Sequence, residues 1–189
     1  YIYQGEELGM TNAAYHLPDL RDIESLNAYR DLRAGGRTDA EAMAAIHRMG
    51  RDNARTPMQW TAGPNAGFTD GTPWMRVNPN HVQINAQAAL DDPDSVFYTY
   101  QKLIALRKAY PVFVEGDFTL LCPQDGQVFA YLRRGAGQEL LAAVNLSGRP
   151  AAFALPADFA GASLLLATQG APAPGVLRPW EALLYLRSL

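Results

Sequence analysis

The densest charge in the chain falls in RDNARTPMQW, residues 51–60, where Arg51, Asp52 and Arg55 stand directly before a proline turn and Trp60. A guanidinium group presents a rigid planar fork of donors, suited to carboxylates, phosphates or the vicinal hydroxyls of a sugar. Arg51 and Arg55 are four residues apart, so a helical turn would put both forks on one face. Two roles compete for them. One is capture of an oxygen-rich ligand. The other is a solvated ion pair with Asp52 or a neighbouring acid, which contributes about 0–1 kcal/mol.

Other reactive residue types are sparser. Glu6 and Glu7 follow a Tyr-Gln-Gly turn at an expected strand end, a place where a barrel enzyme keeps catalytic groups. Neighbours on an extended segment point to opposite faces, so these two acids are not a facing pair, and capping of loop amides is the competing role. His16, His47 and His81 are widely spaced and lack companions at metal-ligand spacing, so no metal site is expected. The glycines of AGGRTDAEA do not form a phosphate loop, no Gly-x-Ser-x-Gly elbow is present, and no cofactor is implied. Cys122, the single cysteine, lies in an apolar run and reads as a small buried hydrophobe. Trp60, Phe68 and Trp74 sit among Asn, Asp, Thr and Gln. They either pack their loop or offer faces for sugar rings.

The elements that must hold these residues follow from periodicity. Residues 1–5 read as a short aromatic strand. Ile23, Leu26, Tyr29 and Leu32 recur at helical spacing up to Gly35–Gly36. Thr38 with Glu41 forms a capping box for a second helix, whose apolar stripe is Ala42, Ala45, Ile46 and Met49, with Gly50 as its stop. Residues 51–93 form a long segment rich in turn residues yet loaded with aromatics. That combination argues for an ordered binding surface. Ser95 reads as the cap of a helix that ends before Pro111. From Phe113 onward, apolar runs of five to eight residues alternate with Gly/Pro/Asp turns, the pattern of an antiparallel sandwich in which Tyr131, Trp180 and Tyr185 read as core.

The chain has 189 residues with 48% apolar and 19% charged content and a net charge of −3, a folded composition without the basic surplus of a nucleic-acid binder. No apolar run reaches the roughly 20 residues of a membrane span. The opening YIYQGEELGM has neither an initiator Met nor a signal pattern and reads as a strand in progress, so the true start is expected upstream.

Several runs together carry a resemblance: YIYQGEELGMTN, DIESLNAY, GRDNARTPMQW, AGFTDGTPW, SVFYTYQKLIALRK and LRPWEALLYL. Along its whole length the chain resembles the C-terminal third of the α-glucosidases of the α-amylase superfamily. It is most similar to the branch that holds oligo-1,6-glucosidases, trehalose-6-phosphate hydrolases and sucrose isomerases. The resemblance implies an α+β fragment: residues 1–111 as the end of a (β/α)8 TIM barrel, with Tyr1–Gly5 its last strand, and residues 112–189 as an antiparallel β-sandwich. It implies a retaining exo-α-glucosidase acting on short isomalto- or malto-oligosaccharides, with an aspartate nucleophile, a glutamate acid/base and a stabilising aspartate. All three carboxylates would precede Tyr1, so no catalytic residue is expected here and the isolated chain should be inactive. Arg51 would reach the non-reducing glucose and an active-site carboxylate, and Arg55 would support that loop and line the aglycone side. Glu6 and Glu7 would be structural. The expected partners are an α-linked gluco-oligosaccharide or disaccharide and the missing N-terminal barrel portion, without nucleic acid or membrane, in the cytoplasm. Alternatives are a non-catalytic amylase-like ectodomain, a carbohydrate-binding sandwich, a sucrose isomerase or transglycosylase, and a trehalose-6-phosphate hydrolase. Uncovered apolar faces in residues 1–110 predict that the isolated chain dimerises through residues 1–80, leaves them disordered, or copurifies with the missing barrel portion.

Overall fold

A computed structural model describes all residues 1–189, which form two compact units, Tyr1–Tyr100 and Gln101–Leu189. In the first unit, Asp22 caps helix α1 (Ile23–Ala34), its carboxylate accepting from the Ser25 amide at 3.0 Å and the Ser25 hydroxyl at 2.8 Å. Helix α2 (Asp39–Met49) begins at a reciprocal capping box, in which the Thr38 amide donates to Glu41 at 2.8 Å and the Glu41 amide donates to Thr38 Oγ1 at 3.3 Å. Both features depend on neighbours three residues apart, so they form wherever the local sequence places them. The core of this unit joins Met43 and Ile46 of α2 to Ala13, Tyr15, Leu20 and Met75, with Leu26 and Tyr29 of α1 packed against them. Within the expected stripe of α2, Ala42 and Ile46 are buried, Met43 joins them, and Ala45 and Met49 face outward. The helix outruns its core by a final turn, which leaves Met49 at 79% exposure.

Residues 51–93 are ordered without ladders. They run through short 3-10 turns at Arg51–Arg55, Pro64–Gly67 and Pro79–Val82 and the brief helix α3 (Ala86–Asp91). Side-chain amides do the tying. Asn78 and Asn80 donate to Thr11 at 3.0 and 2.9 Å, Gln59 donates to Asn80 at 3.0 Å, and Asn85 caps α3 through the Ala88 amide at 2.8 Å. Ser95 does not cap the next helix through its side chain. Its hydroxyl donates to the Ala89 carbonyl at 2.7 Å, tying the end of α3 to the start of α4 (Val96–Ala109).

No strand forms over residues 1–5. A strand needs a neighbour to pair its backbone groups, and no segment of this chain pairs with Tyr1–Tyr3, which stay exposed. The turn that follows is tight: Gly5 holds φ +101°, and a β-carbon there would lie 2.7 Å from the Met10 sulfur.

The second unit is built on a five-stranded antiparallel sheet ordered β1-β2-β3-β7-β5, from β1 (Asp117–Leu120), β2 (Val128–Gly135), β3 (Gln138–Asn145), β7 (Ala182–Ser188) and β5 (Ser163–Ala167). A two-stranded ribbon, β4 (Ala151–Ala152) with β6 (Val176–Leu177), covers one face, where Ala151 and Leu177 pack on Val128, Ala130, Ala143 and Leu183. The other face carries Leu140, Ala142, Leu184 and Leu186, covered by Leu103 and Leu106 of α4 and by Val112 and Phe113 of the short helix α5 (Val112–Glu115). This accounts for the two apolar faces of the central strand β3. Tyr131 and Tyr185 are half-buried. Trp180 departs from the core expected for it. It is 66% exposed at a turn before β7, with φ +61°, so its side chain leaves the inward alternation that begins at Ala182.

Candidate functional site

The Arg51–Arg55 turn leaves α2 at Gly50 and is fixed by two of the three residues between its arginines, Asp52 and Asn53. Asn53 Oδ1 accepts from the Ala13 amide at 3.1 Å, and its amide nitrogen donates to the His47 carbonyl at 3.0 Å. Asp52 is 2% exposed, and its Oδ2 accepts from the backbone amides of Arg21 at 2.7 Å and Asp22 at 2.9 Å. The acid thus clamps this turn to the start of α1, and both arginine side chains come within reach of Asp22. Arg55 Nη1 lies 3.5 Å from Asp22 and 3.6 Å from Asp52, whose Oδ1 is buried without a hydrogen bond. Arg51 Nε lies 4.0 Å from Asp22, and Arg51 Nη1 pairs with Glu24 at 2.7 Å.

Three carboxylates therefore face two guanidinium groups. Burial pushes the Asp22 carboxyl up, but the Ser25 hydroxyl and amide bonds, with Arg51 and Arg55 behind them, outweigh it and leave it below the ordinary aspartate range. The Glu24 hydrogen bond and charge push the Arg51 guanidinium further up, so it carries a permanent positive charge. Arg51 is the more exposed arginine of the cluster, its side chain 55% exposed against 38% for Arg55. Arg51 lines a cavity of about 910 Å³ whose walls include Tyr1, Tyr3, Asn12, Met49 and Met58, and it also borders a groove of about 250 Å³ between α1 and α2. Arg55 lines neither and stays against the two buried aspartates.

Glu6 and Glu7 face their own turn. Glu6 accepts from the Tyr3 amide at 3.2 Å and the Tyr100 hydroxyl at 3.4 Å, and Glu7 accepts from the Gly5 amide at 2.9 Å. His47 and His81 meet backbone carbonyls, of Tyr15 and Asn78 respectively. Trp60, Phe68 and Trp74 are all exposed. The loop between Trp60 and Phe68 turns through left-handed Asn65, Ala66 and Gly67, and the Ala66 carbonyl accepts from the amides of Trp60 at 2.9 Å and Thr61 at 3.0 Å. Asp22 and Glu24 were not singled out from the sequence. The Asp-x-x-Ser cap at residues 22–25 was a readable signal for Asp22. Nothing local marks Glu24 as the partner of Arg51, because the pairing depends on how α1 meets the turn.

The pattern of the family described as "Alpha amylase, catalytic domain" matches residues 1–116. The chain belongs to the α-amylase family. A second family, described as a domain of unknown function (DUF3459), matches residues 116–184, which hold all of the sheet but the end of β7. The chain is thus the end of an α-amylase catalytic domain followed by an antiparallel sheet domain. It is 47% identical over 98% of its length to an oligo-1,6-glucosidase of Halalkalibacterium halodurans and 46% identical over the same share to the trehalose-6-phosphate hydrolase of Bacillus subtilis. These matches cover 35% and 34% of the relatives, so the family member in hand spans about a third of their length. Among solved structures, the trehalose-6-phosphate hydrolase of Bacillus licheniformis superposes with a TM-score of 0.93 at 42% identity, covering 100% of this chain and 36% of that one. The isomaltulose synthase of Klebsiella sp. LX3 does so with a TM-score of 0.89 at 40% identity, covering 98% and 35%.

Proposed function

We propose that this chain is the closing third of a retaining, exo-acting α-glucosidase that cleaves short α-linked gluco-oligosaccharides, and that it supplies substrate-binding arginines while the catalytic carboxylates lie outside it. The observation that carries the reading is Arg51. It is charged, half-exposed, held at its root by buried Asp52 and half-buried Asn53, and set on the wall of a large open cavity. A guanidinium fork in that setting suits the hydroxyls of a terminal glucose, and its charge holds neighbouring carboxylates ionised. Arg55 acts behind it by neutralising Asp22 and Asp52. Membership of the α-amylase family and 47% identity to an oligo-1,6-glucosidase support the substrate class. Trehalose-6-phosphate hydrolases are as similar, so a phosphorylated disaccharide is the second reading.

A chimera tests this. The chain replaces the matching third of the probable oligo-1,6-glucosidase 2 of Bacillus subtilis, to which it is 47% identical. The chimera is expected to hydrolyse p-nitrophenyl α-glucoside, whereas the 189-residue chain alone is expected to show no turnover. Arg51→Ala in the chimera should lower kcat/KM by roughly 10²–10³, the loss seen when one oriented donor leaves a reacting site. Unchanged kcat/KM would remove Arg51 from the substrate site. Comparing isomaltose with trehalose 6-phosphate separates the two substrate readings.

A further inference from the structure

The second unit holds an aromatic side chain in a conformation that burial does not explain. Trp180 is the only aromatic residue with a left-handed backbone, φ +61°, and its ring is largely in water. A bulky side chain in that region of backbone space is strained and persists only where its surroundings impose it. Here they do so from both sides. The Trp180 amide donates to the Ser147 carbonyl at 3.1 Å, and Gln169 donates to the Pro179 carbonyl. The next residue, Glu181, is fully buried; its carboxylate accepts from the Arg178 amide at 2.7 Å and from Arg178 Nη2 at 2.7 Å. Buried Asn145 spans both turns, donating to the carbonyls of Arg149 at 2.7 Å and Arg178 at 2.9 Å.

The result is a fixed platform. Gly148 lies against the indole, close enough that a β-carbon there would sit 3.7 Å from its Nε1. The rest of the ring is open to water, and Arg149, exposed and without an ion pair, stands beside Gly148. A flat π face on a fixed backbone, with an exposed arginine next in sequence to the glycine that backs it, suits a pyranose ring. The axial C–H groups of the sugar pack on the negative face of the indole, and its hydroxyls accept from the guanidinium fork. Because the backbone that carries the indole is fixed before binding, less conformational entropy is lost when a sugar stacks on it.

We propose that Trp180, backed by Gly148 and flanked by Arg149, is an accessory binding site for neutral α-linked gluco-oligosaccharides on the sheet domain, separate from the arginine turn. The probes are maltoheptaose and a linear isomalto-oligosaccharide, titrated into the ¹⁵N-labelled 189-residue chain. The indole N–H signal of Trp180, identified by its loss in Trp180→Tyr, should shift saturably with a millimolar Kd. In native gels containing soluble α-glucan, Trp180→Ala should lose the retardation of the wild type, Trp180→Tyr should keep part of it, and Arg149→Gln should weaken it. A Trp180 signal that stays still at saturating sugar, or full retardation in Trp180→Ala, would overturn the site. Retardation lost in Arg51→Ala but kept in Trp180→Ala would assign all binding to the arginine turn, leaving that proposal standing and this one refuted.

Discussion

Among single residues, Asp52 matters more to the arginine turn than either arginine does. It satisfies two backbone amides that would otherwise be buried without acceptors, at 2.7 and 2.9 Å. The pairing of Arg51 with Glu24 is exposed on both sides and contributes under about 1 kcal/mol. Urea melts should therefore separate them. Asp52→Ala should cost roughly 2–3 kcal/mol, because orphaned buried amides carry their full desolvation penalty, while Glu24→Gln should stay within about 1 kcal/mol of the parent. Equal losses would show that Asp52 is not the clamp. Asp22 gives the pH dependence. Its folded pKa lies below the ordinary value of about 3.9, so it stabilises the fold above that pH and the contribution is lost as pH falls through the folded value. Asp22→Asn keeps a helix cap and should flatten the acid limb of the stability curve. Tyr15 acts at the other end: burial, then the charges of Asp52 and Asp19, push its phenol to about 12. It stabilises below the unfolded value of about 10 and that contribution fades as pH rises toward 12. Tyr15→Phe should remove this alkaline fall, read by the same melts across pH.

The elements show which information was local. The Thr38–Glu41 box, the Gly35–Gly36 stop and the short apolar runs of β2 and β3 depend on near neighbours, so they could be read from the residues themselves. The strand expected over residues 1–5 depends on a partner strand, and no run of the chain provides one. The exposure of Trp180 depends on a turn tied to residues 145–149, more than thirty positions away, where its apolar neighbours in sequence suggested core. The same reasoning holds for the site: the spacing of Arg51 and Arg55 was legible, whereas their shared reach to Asp22 needed α1 packed against the turn. Helix α4 makes the sharpest test at this scale. Leu103 and Leu106 cover Ala142, Leu166 and Leu184, so a sheet domain cut at residue 112 would expose that cluster. We expect residues 96–189 to melt cooperatively and residues 112–189 to show the weak, broad transition of an uncovered sheet face, checked by near-ultraviolet circular dichroism. Equivalent melts would mean α4 adds nothing to the sheet.

At the scale of the whole molecule, one group of exposed apolar side chains lines a single cavity. Tyr1, Ile2, Tyr3 and Met49 are exposed and line its wall, a region of about 910 Å³ opened to water. Monomeric proteins seldom leave contiguous apolar patches beyond a few hundred Å² uncovered, because such surface drives association. The sheet domain has helix and ribbon over the two faces of its central strands, and its exposed Phe118, Leu120 and Phe129 line no such cavity. Association should therefore run through the first unit. Sedimentation of the 189-residue chain should show concentration-dependent dimers or larger species. Replacing Ile2 and Met49 with Lys should shift the population toward monomer without lowering the melting temperature, since neither side chain is in the core. A wild-type chain that stays a single monomeric species at high concentration would mean that the cavity's apolar wall is too dispersed to act as a surface. It would also weaken the idea that a larger barrel portion is what normally covers it.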